Sequence, residues 1–176
     1  MWAKIVFATM LAGPMQAETL NFCWTGGGGY TMTGRMTLKA GAMARTVATE
    51  SDVSAFKIAG YHRGQLLGTW DMAQRNPDTT WHLRFDPLSM QFLTGGSFAG
   101  TNSQGWNANG DVDDCGTSGF GFNSGNYAQD ICVNGSYVAA SSIPPETPFH
   151  ATRSPVSADC GLPAPLSKSR LREKMN

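Results

Sequence analysis

The sequence predicts an all-β fold, an antiparallel β-sandwich or small barrel with one long Gly-, Asn- and Asp-rich loop. Three observations predict it. Apolar and polar residues alternate through most of the first half of the chain, the period of a half-buried strand. Turn-forming residues punctuate those runs at short intervals. Helical periodicity does not stand out anywhere.

The elements follow in order. Leu20, Phe22 and Trp24 alternate with Asn21, Cys23 and Thr25, which reads as a first strand. Four glycines at 26–29 then make a flexible hairpin connection. A phosphate-binding loop is discounted there, because neither the Lys nor the following helix is present. Tyr30, Met32, Gly34, Met36 and Leu38 form one face of a second strand, with Thr31, Thr33, Arg35, Thr37 and Lys39 on the other. Residues 40–52 are ambiguous between a loop with a short helix and a strand at Val47. Phe56, Ile58 and Gly60 mark a strand that turns at His62-Arg63-Gly64 and returns over 66–72. Asn76-Pro77-Asp78 is a strong turn. Trp81, Leu83 and Phe85 alternate with Thr80, His82, Arg84 and Asp86, and Pro87 closes that strand. Phe92 and Leu93 start a further short strand.

Composition bounds the function. Charged residues make up 15%, against roughly 25% in an average globular protein. Thirteen basic residues balance thirteen acidic ones, which argues against a general nucleic-acid binder. A hydrophobic content of 41% excludes a disordered polyampholyte. No apolar run reaches about 18 residues, so no ordinary transmembrane segment is expected. Residues 1–17 read as a secretory signal peptide: Lys4, an apolar run over 5–12, a Gly-Pro break and Ala17 at the cut. Residues 18–142 read as the β domain, with seven basic and ten acidic residues, a balance of −3. Residues 143–176 read as a Pro-rich, basic, extended or disordered tail, with five basic and three acidic residues, a balance of +2.

The four cysteines lie in the exported part, and an even count there points to disulfides. Cys115–Cys132 is the favoured pair because both flank one compact loop, which leaves Cys23–Cys160. Zinc is the weaker reading, since no CxxC pair exists.

The polar chemistry concentrates between 105 and 127. Asn107, Asn109, Asp111 and Asp113 place side-chain oxygens at alternate positions, as a calcium loop does. Val112 and Ser118 stand where an EF-hand needs Gly and Glu, and the pattern favours a disulfide-pinned turn instead. Trp106, Phe120, Phe122 and Tyr127, edged by Asn107 and Asn109, are the candidate stacking surface for a neutral glycan. The competing expectation is that Phe120 and Phe122 close one end of the core. Catalysis is poorly supported: His82 and Asp86 share a strand face without an identified nucleophile. Asp111, Asp113 and Asp114 are the carboxylates a glycoside hydrolase would use.

The block TTWHLRFDPLSMQFLTGG, followed by QGWNANGDVDDCGTSGFGFNSGNYAQDIC, resembles uncharacterised exported β-rich proteins of Gram-negative bacteria, some of the PEP-CTERM sorted kind. The resemblance spans about residues 20–137 and implies export and a β fold. Pro144-Pro145-Glu146 is not followed by a hydrophobic anchor, so membrane sorting is not expected. The expected function is an exported bacterial, non-catalytic β domain with a binding or extracellular-structural role. Calcium is its candidate stabilising ion, and a glycan or surface structure its candidate partner. A secreted hydrolase acting on glycans through the acidic loop is the alternative.

Overall fold

The computed structural model describes residues 16–109, 115–116 and 119–161. Among these the protein is all-β, without an α-helix, and forms two antiparallel sheets, one of them curled into a half-barrel. The strands are β1 (Glu18–Thr25), β2 (Tyr30–Leu38), β3 (Ala48–Thr49), β4 (Val53–His62), β5 (Gln65–Asp71), β6 (Trp81–His82) and β7 (Arg84–Asp86). They continue with β8 (Gln91–Phe92), β9 (Gln104–Trp106), β10 (Phe120–Ser124), β11 (Gln129–Val133), β12 (Ser136–Tyr137) and β13 (Phe149–Thr152). Eight strands run in the order β3-β7-β8-β13-β1-β2-β4-β5, and five in the order β12-β11-β10-β9-β6. No described helix is long and apolar enough to cross a membrane.

The long meander β1-β2-β4-β5 follows the period-two pattern. Leu20, Phe22, Trp24, Met32, Met36, Phe56, Ile58 and Trp70 all point to the core, and their polar neighbours face the other way. The β4–β5 hairpin turns through Arg63 (φ 50°) and Gly64 (φ 82°), both left-handed, as a two-residue hairpin with native twist requires. The glycine run is an ordered turn rather than a flexible one. A Cβ at Gly27 or Gly28 would stand 2.8 or 2.9 Å from the Ala140 carbonyl oxygen, so absent side chains let residues 139–142 close over it.

The core is largely aromatic. Trp106 sits at its centre, with ring centroids of Phe56, Phe122 and Phe92 at 4.7, 4.8 and 5.1 Å. Two glycines make room for rings: Phe22 lies over its cross-strand partner Gly34, and Phe120 over Gly60. The contact of Phe120 with Gly60 joins the two sheets.

Several expectations are corrected. The run 81–85 is not one strand. The chain breaks at Leu83 and passes from the five-stranded sheet (β6) to the eight-stranded sheet (β7). Segment 143–161 is not a disordered tail. Phe149 and Ala151 point inward, and β13 lies between β8 and β1 inside the larger sheet. Its four residues are too few for the alternation to stand out among flanking prolines. The part of the tail beyond 161, and the expected leader except Gln16 and Ala17, fall outside the described residues.

Two buried glutamines stitch loops to strands. Gln104 donates to the carbonyls of Arg84 and Leu93, each at 2.7 Å, and accepts from the Arg84 N–H. Gln129 accepts from Trp24 Nε1 at 2.9 Å and donates to the carbonyls of Pro145 and Thr147. Every polar group of these two side chains thereby has a partner, which removes the cost of burying them.

Glu50 secures the break at Leu83. Its Oε2 accepts from the Leu83 N–H and pairs with the Arg84 guanidinium. Partial burial works against its charge, but the Glu50 and Leu83 backbone N–H groups and Arg84 outweigh that and hold the carboxyl below its ordinary pKa. A lowered folded pKa contributes stability that is complete above the ordinary glutamate value and is lost as pH falls through the folded one. Glu50→Gln should therefore cost about 1 kcal/mol at neutral pH, and the gap to wild type should close on acidification. Urea midpoints at neutral pH and near pH 3 measure it. A gap unchanged in acid would count against this role.

Candidate functional site

The structure places the expected glycan-stacking residues mostly in the core. Trp106, Phe120 and Phe122 are fully buried. Trp106 and Phe122 face each other across the β9–β10 ladder, on the inner face of the smaller sheet. These rings are therefore not open to a ligand; Phe120 and Phe122 pack into the core as the competing expectation has it, and Trp106 joins them there. Tyr127 is 90% exposed in the turn between β10 and β11, away from the other three rings.

Asn107 serves the backbone. In a left-handed conformation (φ 53°), its amide nitrogen donates to the carbonyls of Cys115 and Phe120 at 3.0 and 2.9 Å. Asn109 is partly buried. Asp111 and Asp113, the other half of the calcium expectation, lie outside the described residues. Among the described residues, no three His, Cys, Asp or Glu side chains converge as a metal site. The two disulfides are Cys115–Cys132 and Cys23–Cys160, with Cα separations of 5.9 and 5.4 Å. His82 and Asp86 lie on different sheets. The His82 Nε2 meets the Gly100 carbonyl at 2.9 Å, and Asp86 accepts from Leu88 N–H and Ser89.

A concave feature of the described residues lies elsewhere. A groove of about 550 Å³ lies on the outer face of the larger sheet. Register builds its floor: Asn21 pairs with Arg35, Arg35 with Lys57, and Lys57 with Asp71. These four side chains form one row across β1, β2, β4 and β5, spanning about 14 Å at the usual strand spacing. Thr33, Ala59 and Thr69 form the adjacent row. Gln74 stands at one end, beyond β5.

Pro155 and Val156 make the wall. They belong to a strap, residues 153–161, that follows β13 over the outer face. Cys160 fixes it to Cys23, Thr31 Oγ1 donates to the Ala158 carbonyl at 2.7 Å, and Arg153 pairs with Glu18 at 2.7 Å.

The row is electrostatically uneven. Lys57 and Asp71 form an ion pair at 2.8 Å. That Lys57 contact, together with the Ala73 N–H, holds the Asp71 carboxyl below its ordinary pKa, so it stays charged. Arg35 is exposed and makes no ion pair among the described residues. One guanidinium is left unmatched in the middle of a row of hydrogen-bonding groups.

These residues occupy the polar positions of strands that the alternation marks, and no motif singles them out. Pairing the strands of the meander in register would have aligned Asn21, Arg35, Lys57 and Asp71. The one sequence signal for the wall is the Cys23–Cys160 pairing, which ties the segment after β13 to β1 but does not single out Pro155 and Val156. No family model matches this chain, and no curated protein or solved structure matches it either.

Proposed function

We propose that this chain is an exported, non-catalytic binding domain, of the kind of exported β-rich proteins of Gram-negative bacteria, and that it binds through the groove on its larger sheet. The groove itself carries the reading: a pre-formed concavity with converging polar groups is the ordinary form of a ligand site. It is walled by a strap that a disulfide holds in place. Two disulfides suit an oxidising compartment, where such bonds persist, and the amino-terminal pattern supplies the route there.

The test has two parts. Intact mass of protein recovered from periplasm or medium should show loss of residues 1–17 and no free thiols. A full-length product with four free thiols would overturn export. The mature protein should then retain a partner on a glycan array or in a pull-down from envelope material, and binding should weaken when groove residues Asn21 and Gln74 are replaced by Ala. Failure to retain any partner overturns the binding role.

A further inference from the structure

We infer that the groove takes an acidic sugar of the uronic-acid class, with the sugar carboxylate seated on the Arg35 guanidinium. The inference rests on the binding role proposed above and names its ligand. Arg35 lies in the middle of the floor, exposed and without an ion-pair partner among the described residues. A guanidinium presents a planar fork that a carboxylate matches with two parallel hydrogen bonds.

The rest of the row suits hydroxyl groups. The Asn21 and Gln74 amides each donate and accept, the Thr33 and Thr69 hydroxyls do both, and Asp71 accepts. Lys57 is already matched by Asp71, so the row carries one unmatched positive charge. Pro155 and Val156 offer an apolar wall to the C–H face of a sugar ring.

Other ligand classes fit less well. The strands that carry Asn21, Arg35 and Lys57 are paired on both sides. An extended peptide could therefore add a strand beside this row only at β5, an edge of this sheet, two strands away from Arg35. A nucleic acid gains affinity from many phosphate contacts, while this row offers one unmatched cation and repels phosphate at Asp71.

Calorimetric titration of the mature, oxidised protein tests the assignment. The probes are a trigalacturonate, its methyl ester, the neutral galactose trimer, and a tripeptide with a free carboxylate. Trigalacturonate should bind at least about tenfold more tightly than its ester or the neutral trimer, since only it offers a charged bidentate partner. Arg35→Ala should lose that preference, and Arg35→Lys should recover only part of it. Arg63→Ala, on the β4–β5 turn, should bind as wild type does. Unchanged melting temperatures would separate these effects from misfolding.

Equal binding of acid and ester, both weakened by Asn21→Ala, overturns the acid assignment and leaves the groove as the binding site. Tighter binding of the tripeptide overturns the sugar assignment. No binding by any of the three sugars overturns this inference, while the array and pull-down decide separately whether the domain binds at all.

Discussion

Trp106→Ala should remove about 3–5 kcal/mol of stability, the range for deleting a large buried ring. That is a large share of the 5–15 kcal/mol that holds an ordinary domain together. The ring is fully buried, with Phe22, Phe56, Phe92, Phe122 and Phe149 around it. These side chains come from both sheets, so the cavity would open where the layers meet. Trp106→Phe should behave differently. The Trp106 Nε1 is buried and has no hydrogen-bond partner among the described residues. Removing an unsatisfied donor recovers about 1–3 kcal/mol, which offsets most of the lost volume. Trp106→Phe should therefore stay within about 1 kcal/mol of wild type in urea titrations. A loss as large as that of the alanine variant would mean that the indole N–H contributes something the surrounding rings do not supply.

Replacing Cys23 and Cys160 together by Ser should be the other large loss. The bridge spans 137 residues, against 17 for Cys115–Cys132. By the chain-entropy argument, closing a loop beyond 100 residues contributes about 5 kcal/mol, and closing one of about 15 contributes about 3 kcal/mol. The long-range pair should therefore be the more costly to remove, although only residues 153–161 are released in the folded state. Denaturant unfolding of the two double variants decides it. If losing Cys115–Cys132 proved worse, the stabilisation would come from local order in the 115–132 loop rather than from constraint of the unfolded chain. The groove adds an independent readout, because the Cys23/Cys160 variant loses the anchor of its Pro155–Val156 wall.

What was legible in the sequence was whatever its own periodicity encodes. The meander β1-β2-β4-β5 alternates cleanly because one of its faces is buried and the other is not. Strands β9, β10 and β11 escape that logic. Gln104, Asn123, Ser124, Gln129 and Asp130 are buried polar residues, and two of them are satisfied by carbonyls far away in the chain, so a stretch rich in Gly, Asn and Ser reads as loop. Both cysteine pairings could be inferred, one from its compact loop and the other by remainder. The candidate site was less legible. Trp106, Phe120 and Phe122 have the composition of a sugar platform, yet burial decides their role, and composition does not report burial. Asn21, Arg35, Lys57 and Asp71 form no motif because 14 to 22 residues separate successive members. Strand register alone brings them into one row.

The position of β13 has a consequence for the order of events in the cell. This strand comes after every other strand described, yet it lies between β8 and β1. Until residue 152 has been synthesised, β1 and β8 each lack a neighbour, and the larger sheet exists only as two separate pieces. The growing chain therefore cannot close this layer before residue 152 is available to pair. Pairings this distant in sequence also form slowly. Both properties leave the larger sheet in two unpaired pieces until β13 arrives.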